Sequence, residues 1–310
     1  MKSILTVTLN PAFDLHLSLD AFLPERENYA HAARTDAGGK GVNISRVLTA
    51  LGVENEALLA LGTENGAPFE AALRADGIRF HPFYTEGRIR ENITLHPTGA
   101  RETRVSLDTF SLSADTFARI GDALLAAAGS DTAIAFAGRI PRGVEKGAVV
   151  ALLGSLKRAG AALYLDCNSL VAADLKAIHP TFIKPNEEEI VALYGEPIAS
   201  AEDAARAALR MVADGYAERV MISLGERGAA FADAFGAITV RVPAVTPVST
   251  IGAGDSTVAG MIAAAQKGLA REEALCFACA CGTAACLTEG TAPPDALTVA
   301  EILSRVTVKR

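Results

Sequence analysis

Short apolar runs alternate with helical patterns along this chain, and the alternation restricts its fold more than any other feature. The runs are SILTVTL, EALLALG, TAIAFAG, AALYLDC, TFIKPN and RVMISLG, at residues 3–9, 56–62, 132–138, 161–167, 181–186 and 219–225. Runs of this length without polar alternation predict strands that are buried on both faces. Helical patterns lie between them, and three of these end at a glycine, at 42–52, 68–77 and 148–160. The order predicts an α/β fold in which helices cover both faces of a mostly parallel sheet.

Two segments, residues 12–36 and 88–110, depart from this rhythm because their apolar and polar residues alternate. In the second segment, HPTGARET has the composition of a turn between two strands of a hairpin. The two segments predict either a small separate sheet that covers a ligand site as a lid, or edge strands added to the main sheet. No repeat or linker divides the chain, so we expect a single domain over residues 1–310 that includes these segments.

The charge and hydropathy of the chain exclude several classes of partner. Its 310 residues carry a formal net charge of −7. A broad surface for nucleic acid or for an anionic membrane needs clustered cations, so we expect neither partner. The apolar stretches are shorter than a membrane span, and the first of them predicts a buried strand rather than a secretion signal.

The five cysteines favour a reducing compartment. Their number is odd, and four of them lie within residues 276–286. A disulfide framework is not expected from this arrangement, so we predict a cytoplasmic protein. The four-ligand spacing of zinc sites is absent, and the stretch CFACACGTAACL instead predicts one tightly packed helix of small residues.

The segment DAGGKGVNISRVL is a candidate ligand loop. Gly38, Gly39 and Gly41 flank Lys40 just before a helical pattern. Glycines let backbone N–H groups approach an anion and the lysine adds a positive charge, which favours a ligand loop over a plain connection. The spacing matches neither the P-loop nor the dinucleotide fingerprint. Asn43, one turn later, could hydrogen-bond a polar ligand.

A second candidate is STIGAGDSTVAG at residues 249–260, in which small residues precede a single carboxylate, Asp255. Backbone N–H groups at a helix start can hold a phosphate, and the carboxylate beside them could be a catalytic base. The alternative is an ordinary tight turn that begins a helix. The helix macrodipole predicts a lowered pKa for Asp255.

Two further segments follow predicted strands. In IKPNEEEI, Asn186 and Glu189 either only cap a helix or also hold Mg²⁺ through water. In ISLGERGAAF, the turn that contains Ser223, Gly225 and Gly228 either approaches a nucleotide or simply connects a hairpin.

Charged residues near the predicted lid complete the set. Asp14 lies just after the first strand, where its carboxylate could accept hydrogen bonds from sugar hydroxyls or belong to a simple turn. Arg90 and Arg104 fall on facing strands if HPTGARET is the turn. Arginines are usually solvated, but several over a cleft of an acidic protein suit bidentate phosphate recognition.

In chain order these motifs resemble those of the ribokinase-like (PfkB) family of carbohydrate kinases, and most closely its branch that phosphorylates sugar phosphates. The matching segments are TLNPAFD, GGKGVNIS, KPNEEE, SLGERG, GAGDSTVAG and ACGTAA. They span nearly the whole chain, and the combination of GGKG, N-x-x-E and GAGD is specific. The resemblance implies a ribokinase-like three-layer α/β/α sandwich with a small β-sheet lid, which often pairs with the lid of a second subunit to form a homodimer.

The resemblance also implies an activity. The γ-phosphoryl group of ATP would pass, with Mg²⁺, to a hydroxyl of a ketohexose monophosphate: fructose 1-phosphate, tagatose 6-phosphate or fructose 6-phosphate. Asp255 would be the base, and the backbone of Gly252, Ala253 and Gly254 the anion hole. The implied contacts to the sugar and its phosphate are Asp14, Gly39, Asn43, Lys40, Arg90 and Arg104. The implied nucleotide contacts are Lys184, Asn186, Ser223, Gly225, Gly228 and Cys281, and the residues that would organise Mg²⁺ are Asn186 and Glu189.

Three segments depart from the family pattern, all of them toward the sugar. Residues 138–141 read GRIP where G-S-L-P is common, so Arg139 replaces a serine and is a further candidate contact for a substrate phosphate. Residues 166–170 read DCNSL where D-x-S-G is common. The lid segment ETRVSLDTF lacks the acidic-Ile-Asn motif of 1-phosphofructokinases.

Two other functions stay open at this point. A kinase of an unphosphorylated sugar or nucleoside would not need Lys40, Arg90 and Arg104. A catalytically inactive sugar-phosphate sensor would not need Asp255 together with the N-x-x-E pair. Both sets of residues are present, so a phosphosugar kinase is the favoured interpretation.

Overall fold

The computed structural model describes residues 3–195 and 197–309. Its larger sheet has ten strands, which are Ser3–Thr8 (β1), Glu56–Gly62 (β4), Phe80–Thr85 (β5), Thr132–Ala137 (β8), Ala162–Asp166 (β9), Phe182–Ile183 (β10), Val220–Ser223 (β11), Ala229–Asp233 (β12), Gly236–Arg241 (β13) and Thr307–Lys309 (β14). Their spatial order is β14-β13-β12-β11-β10-β9-β8-β1-β4-β5. Neighbouring strands from β5 to β11 are parallel, and those from β11 to β14 are antiparallel. The prediction of a mostly parallel sheet is confirmed.

Helices cover both faces of this sheet. They are Lys40–Ala50 (α1), Gly66–Ala75 (α2), Ala114–Ala127 (α3), Lys146–Arg158 (α4), Ala172–Ile178 (α5), Glu187–Tyr194 (α6), Ala201–Ala213 (α7), Ala253–Gln266 (α8), Arg271–Ala285 (α9) and Ala296–Leu303 (α10). The core under α2 to α7 contains Ile134 and Phe136 of β8, and the core under α1, α8, α9 and α10 contains Ala133 and Ala135 of the same strand. The sandwich therefore has three layers. Every helix within the described residues is too short or too polar to span a bilayer.

The predicted strands and helices correspond closely to the observed ones. Each of the six apolar runs contains a strand of the large sheet. The three predicted helices begin and end two residues earlier than expected, as α1, α2 and α4. The reason is that Gly52, Gly77 and Gly160 have φ values of 70°, 68° and 95°. These left-handed glycines lie beyond the helix ends rather than in the last turn.

The two alternating segments form a separate four-stranded sheet, which we call the lid sheet. Its strands are Ala12–Leu19 (β2), Ala32–Gly38 (β3), Arg90–Pro97 (β6) and Thr103–Ser106 (β7), in the order β3-β2-β6-β7. β6 and β7 pair as the expected antiparallel hairpin, whereas β2 and β6 are parallel. The alternative of edge strands on the main sheet is wrong.

The lid sheet has an unusual polarity. The buried face of β2 and β6 carries polar side chains, and the half-exposed face carries apolar ones. The polar residues are Asp14, His16, Asn92 and Thr94, and the apolar residues are Leu15, Leu17, Ile93 and Leu95. Among the contacts that attach the sheet to the rest of the chain, Phe13 packs edge-on against Phe69 of α2 at 5.2 Å between ring centroids, and Arg34 forms an ion pair with Glu289 at 3.1 Å.

Close packing of α8 against α9 fixes the position of α8. Gly260 lies against α9 so closely that a Cβ there would be 2.7 Å from the Cα of Ala278. Cys279 and Cys281 are buried on α9, and the thiols are free. The cysteine-rich stretch is therefore a packed helix of small residues, as predicted.

Replacement of Gly260 by alanine is expected to lower the free energy of unfolding by about 1–3 kcal/mol, because one methyl group overfills the helix contact. The matched control is Gly147→Ala in α4, where a Cβ would meet nothing within 4 Å. That substitution should raise stability by up to about 1 kcal/mol. Urea denaturation of both variants measures the difference, and equal effects would contradict a tight α8–α9 contact.

Candidate active site

Charged side chains from distant parts of the chain meet at the carboxyl edge of the parallel strands. Asp166 ends β9, and Lys184 follows β10 directly. Asp255 lies in the first turn of α8, and both of those charges act on its carboxyl group. The carboxyl ends of parallel strands are where open α/β sheets bind ligands. The candidate site therefore lies where the fold predicts it.

The start of α8 presents unpaired backbone N–H groups beside Asp255. Gly252, just before the helix, has φ of 81°, which glycine adopts without strain. Ser256 N donates to Gly252 O at 2.8 Å and closes the first turn. The N–H groups of Gly254 and Asp255 have no backbone acceptor among the described residues, as is usual in a first helical turn. Such N–H groups can bind an anion.

Asp255 is buried, and one direct hydrogen bond reaches its carboxylate. Its exposed fraction is 6%, and Asn43 Nδ2 donates to its Oδ2 at 2.8 Å. Burial raises the pKa of Asp255 to about 6, although Lys40, the Asn43 hydrogen bond and Lys184 oppose this rise. The expected lowering of this pKa is wrong, because the loss of hydration outweighs the favourable groups around the carboxylate.

Asp166 holds two lysines on opposite sides of its carboxylate. Lys40 Nζ donates to Oδ1 at 3.1 Å, and Lys184 Nζ lies 3.9 Å from Oδ2. Burial alone would raise the pKa of Asp166, but Lys184 and Lys40 hold it below its ordinary value. Burial likewise opposes the charge of Lys40, but Asp166, Asp255 and Glu189 raise its pKa above the ordinary value. Asp166 and Lys40 are therefore both charged at neutral pH.

Lys184 also faces the anion-binding turn. A Cβ on Gly254 would lie 3.2 Å from Lys184 Nζ. The ammonium group is thus next to the unpaired N–H groups of α8. A phosphate bound at this turn would meet both backbone donors and a positive charge.

The GGKG segment joins the lid sheet to α1. Gly38 ends β3, and a Cβ there would lie 2.1 Å from Asp14 Oδ2. Gly39 is the N-cap of α1 with φ of 125°, a conformation that requires glycine. Gly38 leaves room for the Asp14 carboxylate, and Gly39 adopts the backbone turn that precedes Lys40. Asp14 and Lys40 can therefore approach the same cleft.

A hydrogen-bonded cluster lies on the polar face of the lid sheet. Asp14 Oδ1 accepts hydrogen bonds from Asn92 Nδ2 and from Arg104 Nη2, both at 2.7 Å. Arg90 donates to Asn92 Oδ1 at 2.7 Å and to Asn10 Oδ1 at 2.8 Å. Three of the predicted sugar-side residues are thus brought into one network.

Arg139 lies near this cluster but outside its network. It is exposed, and it has no ion-pair partner among the described residues. Burial lowers the pKa of Arg90, and the positive charges of Arg104 and Arg139 lower it further. Asp14 and Asp108 act in the opposite direction, so Arg90 lies among charges of both signs on the sugar side of the cleft, where an added anion would favour its charged form.

The predicted nucleotide-side residues lie beside the ends of β10 and β11. Ser223 ends β11, and its N–H donates to Pro185 O at 3.0 Å. Gly225 begins a short 3₁₀ turn. Gly228 has φ of 94°, and a Cβ there would lie 1.9 Å from Val240 O, so this turn requires glycine for structural reasons alone.

Cys281 requires a correction. Its exposed fraction is 0%, and its sulfur faces Gly260 inside the α8–α9 contact. It therefore does not line the site. Its neighbour Gly282 faces the anion-binding turn instead, because a Cβ there would lie 3.0 Å from Ala253 O. The error follows from α9 having small or apolar residues on every side, which gives no indication of the exposed face.

Asn186 and Glu189 form a capping box at the start of α6. Asn186 Oδ1 accepts from Glu189 N at 2.8 Å, and Glu189 Oε2 accepts from Asn186 N at 3.0 Å. The negative charge of Glu189 also raises the pKa of Lys40, so this carboxylate faces the cleft. Within the described residues, no group of three or more His, Cys, Asp or Glu side chains could enclose a metal ion. The donor set suits a cation that keeps most of its water.

Three residues that contact this site are not among those predicted from the sequence: Asp166, Asn92 and Arg46, the last of which donates to Asn43 Oδ1 at 3.0 Å. Asp166 is the acidic residue near the carboxyl end of the apolar run at residues 161–167. This position is the signal that could have identified it. Asn92 and Arg46 lie within a strand and a helix. Nothing in the local pattern distinguishes them from solvated polar residues.

Comparison with known proteins agrees with this geometry. The model of the pfkB family carbohydrate kinases matches residues 7–297. A 1-phosphofructokinase of Haemophilus influenzae is 32% identical over 99% of this chain and 98% of its own length. The ATP-dependent 6-phosphofructokinase isozyme 2 of Escherichia coli is 28% identical over 94% of both chains. The crystal structure of phosphofructokinase-2 from Escherichia coli in complex with substrates and products superposes with a TM-score of 0.92 at 27% identity, over 97% of this chain and 98% of that one.

The fold and the site therefore define a sugar kinase of the ribokinase-like architecture. The chain belongs to the pfkB family of carbohydrate kinases.

Replacement of Asp255 by asparagine is expected to stabilise the protein. The pKa of Asp255 is about 6 in the folded chain against an ordinary 3.8, so the native state binds this proton more tightly than the unfolded state. Ionisation therefore destabilises the native state as pH rises from about 4 to about 6. The variant should gain up to about 3 kcal/mol at pH 8 and progressively less below pH 6.

Urea denaturation at several pH values measures this gain. Asp122→Asn, on the exposed side of α3, is the control for loss of one negative charge. An Asp255→Asn variant that is less stable than the unmodified chain at pH 8 would show that Lys40 and Lys184 outweigh the burial of Asp255.

Proposed function

We propose that this chain transfers the γ-phosphoryl group of ATP to a hydroxyl of a ketohexose monophosphate. The observation that carries the proposal is the position of Asp255. Its buried carboxylate lies beside the unpaired N–H groups of α8 and near Lys40, and the lid side of the cleft adds Arg90, Arg104 and Arg139. A neutral sugar would not need the three arginines.

In the proposed reaction, the acceptor hydroxyl oxygen forms a bond to the γ-phosphorus as the bond from that phosphorus to the β-phosphate oxygen breaks. ADP leaves with the bonding electrons, and Asp255 accepts the hydroxyl proton. The transition state is loose, so the proton leaves late and alignment matters more than a strong base. A pKa of about 6 keeps the carboxylate ionised at neutral pH and still able to take the proton.

We assign the charges of the cleft to two phosphates. Lys40 interacts with Asp166, Asp255 and Glu189, which suits it to the transferring phosphoryl group rather than to the phosphate of the sugar. Arg90, Arg104 and Arg139 would then bind the phosphate of the sugar. Asp14, Gly39 and Asn43 are then left for the sugar hydroxyls.

ATP would bind along Lys184, Asn186, Ser223, Gly225 and Gly228, with its γ-phosphate at the 252–254 turn. Asn186 and Glu189 would hold Mg²⁺ through its bound water, because one oxygen of each already caps α6. When bound, Mg²⁺ would neutralise charge on the phosphates of ATP. Lys184 and the backbone N–H groups would supply the remaining stabilisation.

An assay of ADP release tests the proposal. Fructose 1-phosphate, tagatose 6-phosphate and fructose 6-phosphate are compared with free fructose, free ribose and a nucleoside. We expect turnover with at least one phosphosugar and a kcat/KM for it well above that for any uncharged acceptor. Turnover only on uncharged acceptors would contradict the proposal, and a lack of turnover on every acceptor would favour a sensor.

The arginines have a separate expected effect in the same assay. Arg104→Ala and Arg139→Ala should each raise KM for the phosphosugar about tenfold or more while KM for ATP changes little, since a bidentate charge-assisted contact is lost. Arg119→Ala is the control, because this exposed arginine of α3 forms an ion pair with Asp115 and lies over the ring of Phe83. An unchanged KM for every phosphosugar in Arg139→Ala would remove Arg139 from the site.

We also propose that residues 1–310 act as one kinase domain in the cytoplasm and pair with a second copy through the lid sheet. Leu15, Ile93 and Val105 lie side by side across three strands on its half-exposed face. Val105 is 49% exposed. Apolar residues in register on an exposed face favour a protein partner. One solved relative is a tetrameric inhibited form of phosphofructokinase-2 from Escherichia coli.

Light scattering on a size-exclusion column tests the pairing. The unmodified chain should have the mass of a dimer or a larger assembly, and Val105→Glu should shift it toward the monomer, because a charge in an apolar contact is strongly unfavourable. Leu297→Glu, at an exposed position of α10, is the control. The same mass for all three proteins would contradict pairing through the lid sheet.

A further inference from the structure

Arg46 of α1 is buried and contacts Asn43, the residue that donates to Asp255, but it does not contact Asp255 itself. Its exposed fraction is 6%. The guanidinium group donates to three acceptors: Nε to Asp76 Oδ2 at 2.9 Å, Nη1 to Asn43 Oδ1 at 3.0 Å and Nη2 to Ala37 O at 2.6 Å. A charged side chain that is buried with this many partners is held in one position.

The contact with Asn43 determines which way its amide points. A guanidinium group has only donors, so it must face the oxygen of the amide and not the nitrogen. The amide nitrogen of Asn43 then faces Asp255 and donates to Oδ2. In the flipped orientation, the Asn43 oxygen would face Asp255 Oδ2, and the hydrogen bond that this carboxylate accepts from Asn43 would be lost.

The contact with Ala37 connects the same guanidinium group to the lid sheet. Ala37 lies in β3 directly before Gly38 and Gly39, where the lid sheet joins α1. Asp76 follows α2, the helix whose Phe69 packs against Phe13 of the lid sheet. Arg46 therefore contacts both the base of the lid sheet and the residue that orients the carboxylate.

We propose that Arg46 is a positioning residue that fixes the amide of Asn43 toward Asp255 and so couples the seating of the lid sheet to the orientation of the catalytic carboxylate. The proposal rests on the assignment of Asp255 as the base. It adds a second role to α1: the start of the helix supplies ligand contacts, and its second turn holds them in orientation.

A double-mutant cycle of Arg46→Met and Asn43→Ala tests this role. Arg46→Met alone should lower kcat about tenfold to a hundredfold, the effect of a slightly misplaced reacting group. In the Asn43→Ala background, the same substitution should lower kcat less than about twofold, because its effect passes through Asn43. Independent losses that multiply in the double variant would overturn the proposal.

The pH profile of kcat supplies a readout that a merely structural role would not change. The Asn43 hydrogen bond lowers the pKa of Asp255, so its loss in Arg46→Met should raise that pKa and move the acid limb of the profile to higher pH. The other charged groups that face Asp255 are Lys40, Asp166 and Lys184, and these are unaltered. An acid limb at the same pH as in the unmodified chain would overturn the proposal.

Arg271→Met is the matched control. Arg271 is also partly buried and donates to a carboxylate, Asp233, and to a carbonyl, Gly236 O, but it lies away from the cleft. It should lower the free energy of unfolding without moving the acid limb. If Arg46→Met does not fold, Arg46→Lys replaces it in the cycle, since lysine keeps the charge but cannot hold Asn43 and Ala37 together. Normal turnover in Asp255→Asn would refute the base assignment itself, which distinguishes that failure from failure of the Arg46 proposal.

Discussion

The burial of Asp255 at the start of α8 is the constraint on which the rest of the site depends. A carboxylate that loses its hydration is unfavourable in the ionised form, and the pKa of about 6 records this. One direct hydrogen bond, from Asn43, and the more distant charges of Lys40 and Lys184 offset the loss only in part. The position of the carboxylate depends in turn on the contact of Gly260 with α9. The packing of α8 against α9, the Asn43 contact from α1 and the charges at the ends of β9 and β10 therefore together set the pKa of Asp255.

The polarity of the lid sheet follows from the same cleft. Asp14 and Asn92 are buried because they face the site and each other, and their hydrogen bonds to Arg104 and Arg90 satisfy them there. The opposite face is then the apolar one, which is the reverse of an ordinary two-layer arrangement with a solvated outer face. A sheet of this kind is stable only with polar groups enclosed on one side and apolar contact on the other. The enclosed side is the proposed sugar site, and the apolar side is the proposed contact with a second copy.

Local signals explain what the sequence allowed us to predict. Buried strands, left-handed glycines and the helix start at Gly252 each depend on neighbouring residues, so the layers, the lid segments and the position of Asp255 could be predicted. Asp166 meets Lys40 across 126 residues and Asp14 meets Arg104 across 90, and no local pattern specifies such pairs. The pKa of Asp255 required the sum of burial, charges and hydrogen bonds, of which only the helix start was visible in the sequence. Cys281 was misplaced because its helix has no polar face to indicate its orientation.

The two halves of the cleft differ in how firmly their cations are held. Lys40 and Lys184 are tied to Asp166 at the strand ends, which suits a phosphoryl centre whose geometry must not vary. On the sugar side, Arg104 is already paired with Asp14 at 2.7 Å, so a phosphate that binds it must share it with a carboxylate. Arg139, by contrast, has no ion-pair partner among the described residues, and binding a phosphate there breaks no existing contact. In the proposed complex, a phosphate at Arg139 therefore meets none of the competition that Asp14 imposes at Arg104.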